Sequence, residues 1–220
     1  ADVDRRDHVV LPGSCHIVVR RVFAYRVELG DLMHPLIGQR WSPRWLDPSF
    51  EVTDQQLVAM LEAARWAPSY GNSQPARYIV GKRGDPTYAN IFESLNRRNQ
   101  SWAHSASALL VAVAMTVNAK GELPRWEYGV GLATENLVLQ AVAEGLVAHQ
   151  MGGFNAEAVR VLFQLPEEAK PLVAIAVGKL GDRDAIPDDL RDRELAPRKR
   201  LPLSEIAFTG EWGKPFTAEQ

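Results

Sequence analysis

Residues 108–115 read ALLVAVAM, a run without one charged or polar side chain. With Ala106 and the interrupting Ser107 it forms the longest apolar stretch of the chain, yet it is well short of the roughly 18 residues a membrane span needs. Apolar residues at every position, rather than every second one, mark a strand buried on both faces. Helices must then cover both sides of its sheet. A second run, LVAIAV at 172–177, points to another buried strand.

The flanking segments supply those helices. Thr53 and Gln56 make a capping box ahead of Leu57, Met60, Leu61 and Ala64, which recur at helical spacing until Pro68 stops the helix. A polar loop, 69–75, leads into a short strand at 77–80, and a single helix is expected over 86–99. A long helix over 126–144 carries Val130, Ala133, Leu137 and Ala141, with Gly129 and Gly131 small enough to admit another backbone, and Gly145 in the place of a left-handed cap. After a short strand near Val147, Asn155 caps a helix whose apolar face is Val159, Leu162 and Phe163. Helix and strand alternate throughout, which indicates a three-layer α/β arrangement. No G-x-G-x-x-G follows any strand, so the doubly wound dinucleotide fold is not indicated. From Gly178 the chain turns charged and Pro-rich, with no strong period before Leu201-Pro202-Leu203, and reads as a docked tail.

A length of 220 residues with 46% hydrophobic and 24% charged side chains suits one globular domain. Folding at this size buries roughly 70% of the chain's surface, so no metal or disulfide is required to complete the core. Cys15 stands alone and cannot form an internal bridge, which favours a reducing compartment and hence the cytoplasm. A net charge of -2 creates no large field, so neither nucleic acid nor a membrane is expected as a partner. Residues 1–33 read as an N-terminal extension, disordered or packed on a partner, ahead of a domain at 34–220. Arg20, Arg21 and Arg26 interrupt the apolar pairs of 16–29, which excludes a secretory hydrophobic region and leaves an Arg-rich targeting segment as the alternative.

Three clusters are candidates for chemistry: Arg40-Trp41-Ser42-Pro43-Arg44, Pro68-Ser69-Tyr70-Gly71-Asn72-Ser73-Gln74-Pro75, and Arg198-Lys199-Arg200. Each alone has a plain reading, as a solvated face, a turn, or tail charge. The histidines show no metal-ligand spacing and no G-x-S-x-G element occurs, so neither a metal site nor a serine hydrolase is expected.

Taken in order from His34 to Phe208, these clusters resemble the FMN-binding nitroreductase family. Arg40, Ser42 and Arg44 match an R-x-S-x-R-like element, and 64–75 match A-x-x-A-P-S-x-x-N-x-Q-P. Asn136-Leu137-Val138-Leu139-Gln140-Ala141 matches N-L-x-L-x-A; Gly152-Gly153-Phe154, then Pro171, Ile175 and Gly178, and finally Arg198, Arg200 and Pro202 complete the set. The resemblance implies an α/β (α+β) fold, a central mixed sheet flanked by helices, in a homodimer. It implies FMN as cofactor, NADH or NADPH as electron donor, and a small-molecule acceptor such as a nitroaromatic or quinone.

The shape of FMN gives these residue types a reason. Its phosphate suits guanidinium donors, here Arg40, Arg198 and Arg200, with the Ser42 hydroxyl beside them. Negative charge develops near N1 as the ring is reduced at N5, and by position in the motif Arg44 is the cation facing it. Asn99 is implied to read the pyrimidine edge, Met151, Gly152 and Gly153 to lie by N5, Pro68, Ser69 and Tyr70 to reach the ring from the other subunit, and Asn72 to belong to the cofactor-binding set. Trp41, Tyr70 and Trp102 either line the substrate side or pack in the core or dimer interface. Gly152 stands where many members carry an acid, so that carboxylate's role does not transfer. The flavin carries the reaction, and no obligatory protein acid or base is expected. A flavin-binding protein without turnover, and a flavin-cleaving or dehalogenating relative, remain alternatives.

Overall fold

The computed structural model describes residues 33–217; the expected 1–33 extension therefore lies, Met33 apart, outside the described residues. In chain order the elements are α1 (Pro35–Gln39), α2 (Asp54–Arg65), β1 (Ala76–Lys82), α3 (Pro86–Ser94), α4 (Arg97–Ala103), β2 (Ala108–Met115) and the two short strands β3 (Val117–Asn118) and β4 (Gly121–Glu122). There follow α5 (Trp126–Ala143), β5 (Val147–Met151), α6 (Ala156–Leu162), β6 (Ala169–Gly178) and α7 (Asp188–Leu195).

The expected central strand is β2, buried along nearly its whole length, in a four-stranded sheet of order β1-β2-β6-β5. Its side chains alternate between two cores. Ala108, Leu110, Ala112 and Ala114 face Leu57, Met60, Val130 and Leu137 of α2 and α5. Leu109, Val111 and Val113 face Tyr88, Ile91, Trp102 and Val159 of α3, α4 and α6. Two apolar faces on one strand are what make three layers.

The sheet corrects one expectation. All three of its pairings among the described residues are antiparallel, where a mixed sheet was anticipated. The register slips between Ala112 and Val113, opposite Val173 and Pro171; Pro171 has no N–H for the ladder, and the bulge absorbs the extra residue.

The helix expected over 86–99 is two helices. Leu95 is extended and bridges Phe154, while Asn96 caps α4 by accepting the Asn99 N–H at 2.9 Å. An asparagine that caps a new helix competes with continuing the old one. The break delivers the α4 start to the turn after β5. The capping box of Thr53 and the left-handed Gly145 (φ 73°) occur as expected. The tail holds a helix that its sequence did not suggest: α7 reads DDLRDREL and is anchored by one buried residue, Glu194. No helix among the described residues is long and apolar enough to cross a membrane.

Candidate active site

The segment after α1 carries the first arginine cluster, and both ends of the chain hold it in place. Arg40 closes α1 through its backbone N–H to Leu36 O. Arg198 donates Nη1–H to Arg40 O at 2.6 Å and Nη2–H to Gly38 O. These bonds occupy two of its five N–H donors, leaving three. Burial lowers the Arg198 pKa, with the charges of Arg40 and Arg200 adding to the effect. Arg40 and Arg200 thus act electrostatically on Arg198. Arg200 is exposed and donates to Lys199 O; Trp41 and Ser42 are half-buried in the same segment.

Further along, the segment is held by residues absent from the sequence-based list. His149 is buried in β5, its Nδ1 2.8 Å from Pro43 O and its ring 4.5 Å from Trp102 at a 31° tilt. The Pro43 carbonyl only accepts, so Nδ1 carries the proton. Burial drives the His149 pKa down to about 4; the Pro43 bond opposes this, and the charges of Arg44 and Arg40 reinforce it. Trp102 is a core residue rather than a substrate wall. Glu194 accepts the Arg44 N–H at 2.9 Å, and its other oxygen is buried with no hydrogen-bond partner. Burial raises its pKa, against bonds from the Arg44 and Trp45 backbone and the Arg44 charge. Glu135 of α5 joins Arg40 (3.6 Å) to Gln150 of β5 (3.3 Å).

The turn after β5 completes this wall. Gly153 O receives the Asn96 N–H at 3.0 Å and the Asn99 Nδ2–H at 2.9 Å, so the Asn99 side chain is bonded to the turn itself. A Cβ on Gly153 would fall 2.3 Å from Asn96 Nδ2, whereas one on Gly152 would meet nothing within 4 Å. Packing therefore explains Gly153 but not Gly152, which is exposed and sits where a planar group can approach the backbone. Gly153→Ala is expected to destabilise the fold by about 1–3 kcal/mol through overpacking. Gly152→Ala should leave the thermal midpoint unchanged while weakening flavin binding; thermal scans with flavin titrations check both.

The loop 68–75 does not join this wall. It leads into β1, three strand positions from β5 and so roughly 14 Å across the sheet. Its shape is unusual: Gly71, Asn72 and Gln74 all have φ near +50°, and Ser69 Oγ accepts the Gln74 N–H at 2.9 Å. Glycine and asparagine tolerate that region and Gln74 does so at a cost, a pattern common where a loop serves function. Pro75 packs on Gly129, where a Cβ would come within 2.8 Å of its ring. The glycine thus admits a proline ring rather than another backbone, and Gly131 faces open space. Pro68, Ser69, Pro75 and Gly129 line a recess of about 270 Å³ between α2, β1 and α5. Pro68, Tyr70 and Asn72 are exposed.

Of the residues missed, His149 left a signal in strand alternation, since it shares a face with Val147 and Met151. Glu194 left none within its run of charge. FMN fits the residues present: clustered guanidinium groups beside a hydroxyl suit a phosphate, and the open backbone at Gly152 suits a flat ring.

Comparison with known proteins agrees. A family model described as "Nitroreductase family" matches residues 37–94 and 82–179. A solved structure, "The crystal structure of the oxidoreductase containing FMN", superposes with a TM-score of 0.76 at 34% identity, covering 82% of this chain and 92% of that one. An uncharacterised 15.4 kDa protein of Mycolicibacterium smegmatis is 36% identical over 147 residues, 64% of this chain and 99% of its own length. The Bacillus subtilis protein named "Putative NAD(P)H nitroreductase YdgI" is 25% identical over 224 residues, 84% of this chain and 99% of its own. The matched family model, which extends over well more than half of the chain, shows that this protein belongs to the nitroreductase family.

Proposed function

We propose that the chain binds FMN and works as an NAD(P)H-dependent oxidoreductase, delivering electrons to a nitroaromatic, quinone or similar acceptor. The observation that supports this reading is the attachment of the Arg198 guanidinium to the Gly38 and Arg40 backbone carbonyls, which joins the two arginine-bearing segments from opposite ends of the sequence. When bound, FMN supplies two-electron chemistry, taking a hydride from the reduced nicotinamide and giving electrons to the acceptor.

The protein's own residues bind and orient. Arg40 and Arg200, with the remaining donors of Arg198 and the Ser42 hydroxyl, hold the phosphate. Arg44 supplies positive charge where the reduced ring becomes negative, and its partial burial strengthens that interaction. Asn99 positions the 151–153 turn through the Gly153 carbonyl. The exposed backbone at Gly152 leaves room for donor and acceptor in turn, which predicts ping-pong kinetics.

A homodimer completes the site in this reading. Pro68, Ser69, Tyr70 and Asn72 lie too far across the sheet to serve the same chain's wall, and a second copy would bring them over the ring. Large apolar side chains exposed on α2, α5 and the loop between support such an interface: Val58, Trp66, Tyr70 (65% exposed) and Tyr128 (70%).

The test is a visible spectrum of the purified protein incubated with FMN, before and after anaerobic addition of NADH or NADPH. A bound flavin that bleaches rapidly is expected. A colourless protein overturns the reading; a bound flavin reduced no faster than free FMN replaces it with a flavin-binding role without turnover.

A further inference from the structure

Two exposed arginines border the wall, and neither forms an ion pair among the described residues: Arg98 and Arg193. Arg98 stands in α4 between Asn96 and Asn99, both of which bond the Gly153 carbonyl. Arg193 stands in α7 directly before Glu194, which accepts the Arg44 N–H. Both therefore sit on elements fastened to the residues of the proposed flavin site. Their charges reach Arg44: burial lowers its pKa most, Glu194 opposes this, and Arg193 and Arg98 add to the depression. Arg98 and Arg193 thus stand on the elements bonded to the Gly153 turn and to Arg44, a rim of guanidinium groups with Glu194 as its buried carboxyl. Asp188 of α7 pairs with Arg191, and Asp189 and Asp192, its remaining acids besides Glu194, form no ion pair with either arginine.

Like charges gathered this way repel one another until an anion joins them. We propose that Arg98 and Arg193 bind a phosphate of the nicotinamide dinucleotide donor, an inference that rests on the flavin reading above. A nitroaromatic or quinone acceptor need carry no anion, whereas the dinucleotide always brings a pyrophosphate and NADPH a further 2′-phosphate. Guanidinium forks match phosphate oxygens in pairs, and every free cation named at this rim is an arginine. The nicotinamide must reach the Gly152 turn, and Arg98 stands on the helix whose Asn96 and Asn99 bond the neighbouring Gly153 carbonyl.

The experiment uses the flavin-loaded full chain and the variant Arg98→Gln/Arg193→Gln. Anaerobic flavin reduction is timed with NADPH, NADH and a phosphate-free donor, N-benzyl dihydronicotinamide, and NADP+ binding is measured separately by calorimetry. The variant is expected to keep its flavin and its rate with the benzyl donor, while kcat/KM for NADPH falls about a hundredfold or more, the loss of one charge-assisted hydrogen bond from each arginine. The NADP+ Kd should rise in parallel. A loss confined to NADPH assigns the 2′-phosphate, and an equal loss with NADH assigns the pyrophosphate. Wild-type rates with every donor, or an equal loss with the benzyl donor, overturn the proposal and leave the flavin reading intact. A chain that takes up no flavin overturns both.

Discussion

Replacing Arg40 by methionine is expected to lower FMN affinity about a hundredfold or more. A charge-assisted hydrogen bond is worth about 1.5–3 kcal/mol, a guanidinium fork makes two, and each 1.4 kcal/mol is tenfold. The fold should hardly notice. Among the described residues the guanidinium of Arg40 pairs with Glu135, at 3.6 Å, in a part-exposed contact of the kind that contributes little. Arg40→Lys should recover part of the affinity, because an ammonium keeps the charge without the fork. Arg198→Met offers a contrast: it also releases the Gly38 and Arg40 carbonyls, so it should lower the thermal midpoint as well as the affinity. Flavin titration of the apoproteins, followed by fluorescence, measures the first effect and thermal scans the second. Arg40→Met protein that binds flavin like the wild type would remove the phosphate role.

Acid supplies the second large effect, through His149. Its imidazole is depressed from 6.5 to about 4. In the unfolded chain it takes up a proton near 6.5, while in the folded protein it stays neutral until about 4. Between these values the unfolded state binds more protons, so stability falls as pH is lowered through that window. The stabilising contribution is complete above 6.5 and lost below 4, and amounts to about 3 kcal/mol at 1.36 kcal/mol per pKa unit. Glu194, a carboxyl whose pKa burial raises, acts with the opposite sign, its charged form being the disfavoured one. The His149 contribution is therefore isolated by difference from a variant. His149→Asn keeps an N–H donor for Pro43 O but does not titrate, so its stability should decline less by about that amount. His149→Leu leaves the carbonyl unpaired and should cost about 1–3 kcal/mol at neutral pH. Urea unfolding at a series of pH values decides the matter. Parallel curves for wild type and His149→Asn between pH 6.5 and 4 would mean that the imidazole titrates normally.

Those two residues differ in how far the sequence announces them. Arg40 belongs to a linear motif, and a motif is legible because its residues act together while near in sequence. The capping box at Thr53, the doubly apolar β2 and the left-handed Gly145 are legible for the same reason: each is a local preference that tertiary packing reinforces. The single helix expected over 86–99 was wrong because Asn96 had a better use as a cap, and only the bond from its N–H to Gly153 O, 57 residues away in sequence, shows why.

Local chemistry by itself determined the layers: which long apolar runs are strands, which faces are apolar, where α2, α3, α5 and α6 begin, and which arginines and glycines merit attention. Tertiary structure alone decided the sheet's antiparallel sense, the union of 38–44 with 194–200, and the choice of His149 and Glu194 as the groups that hold Pro43 and Arg44. The reason is physical. Propensity and periodicity act over a few residues, whereas a buried hydrogen bond or a shared rim of charge exists only after distant segments have met and water has been excluded between them.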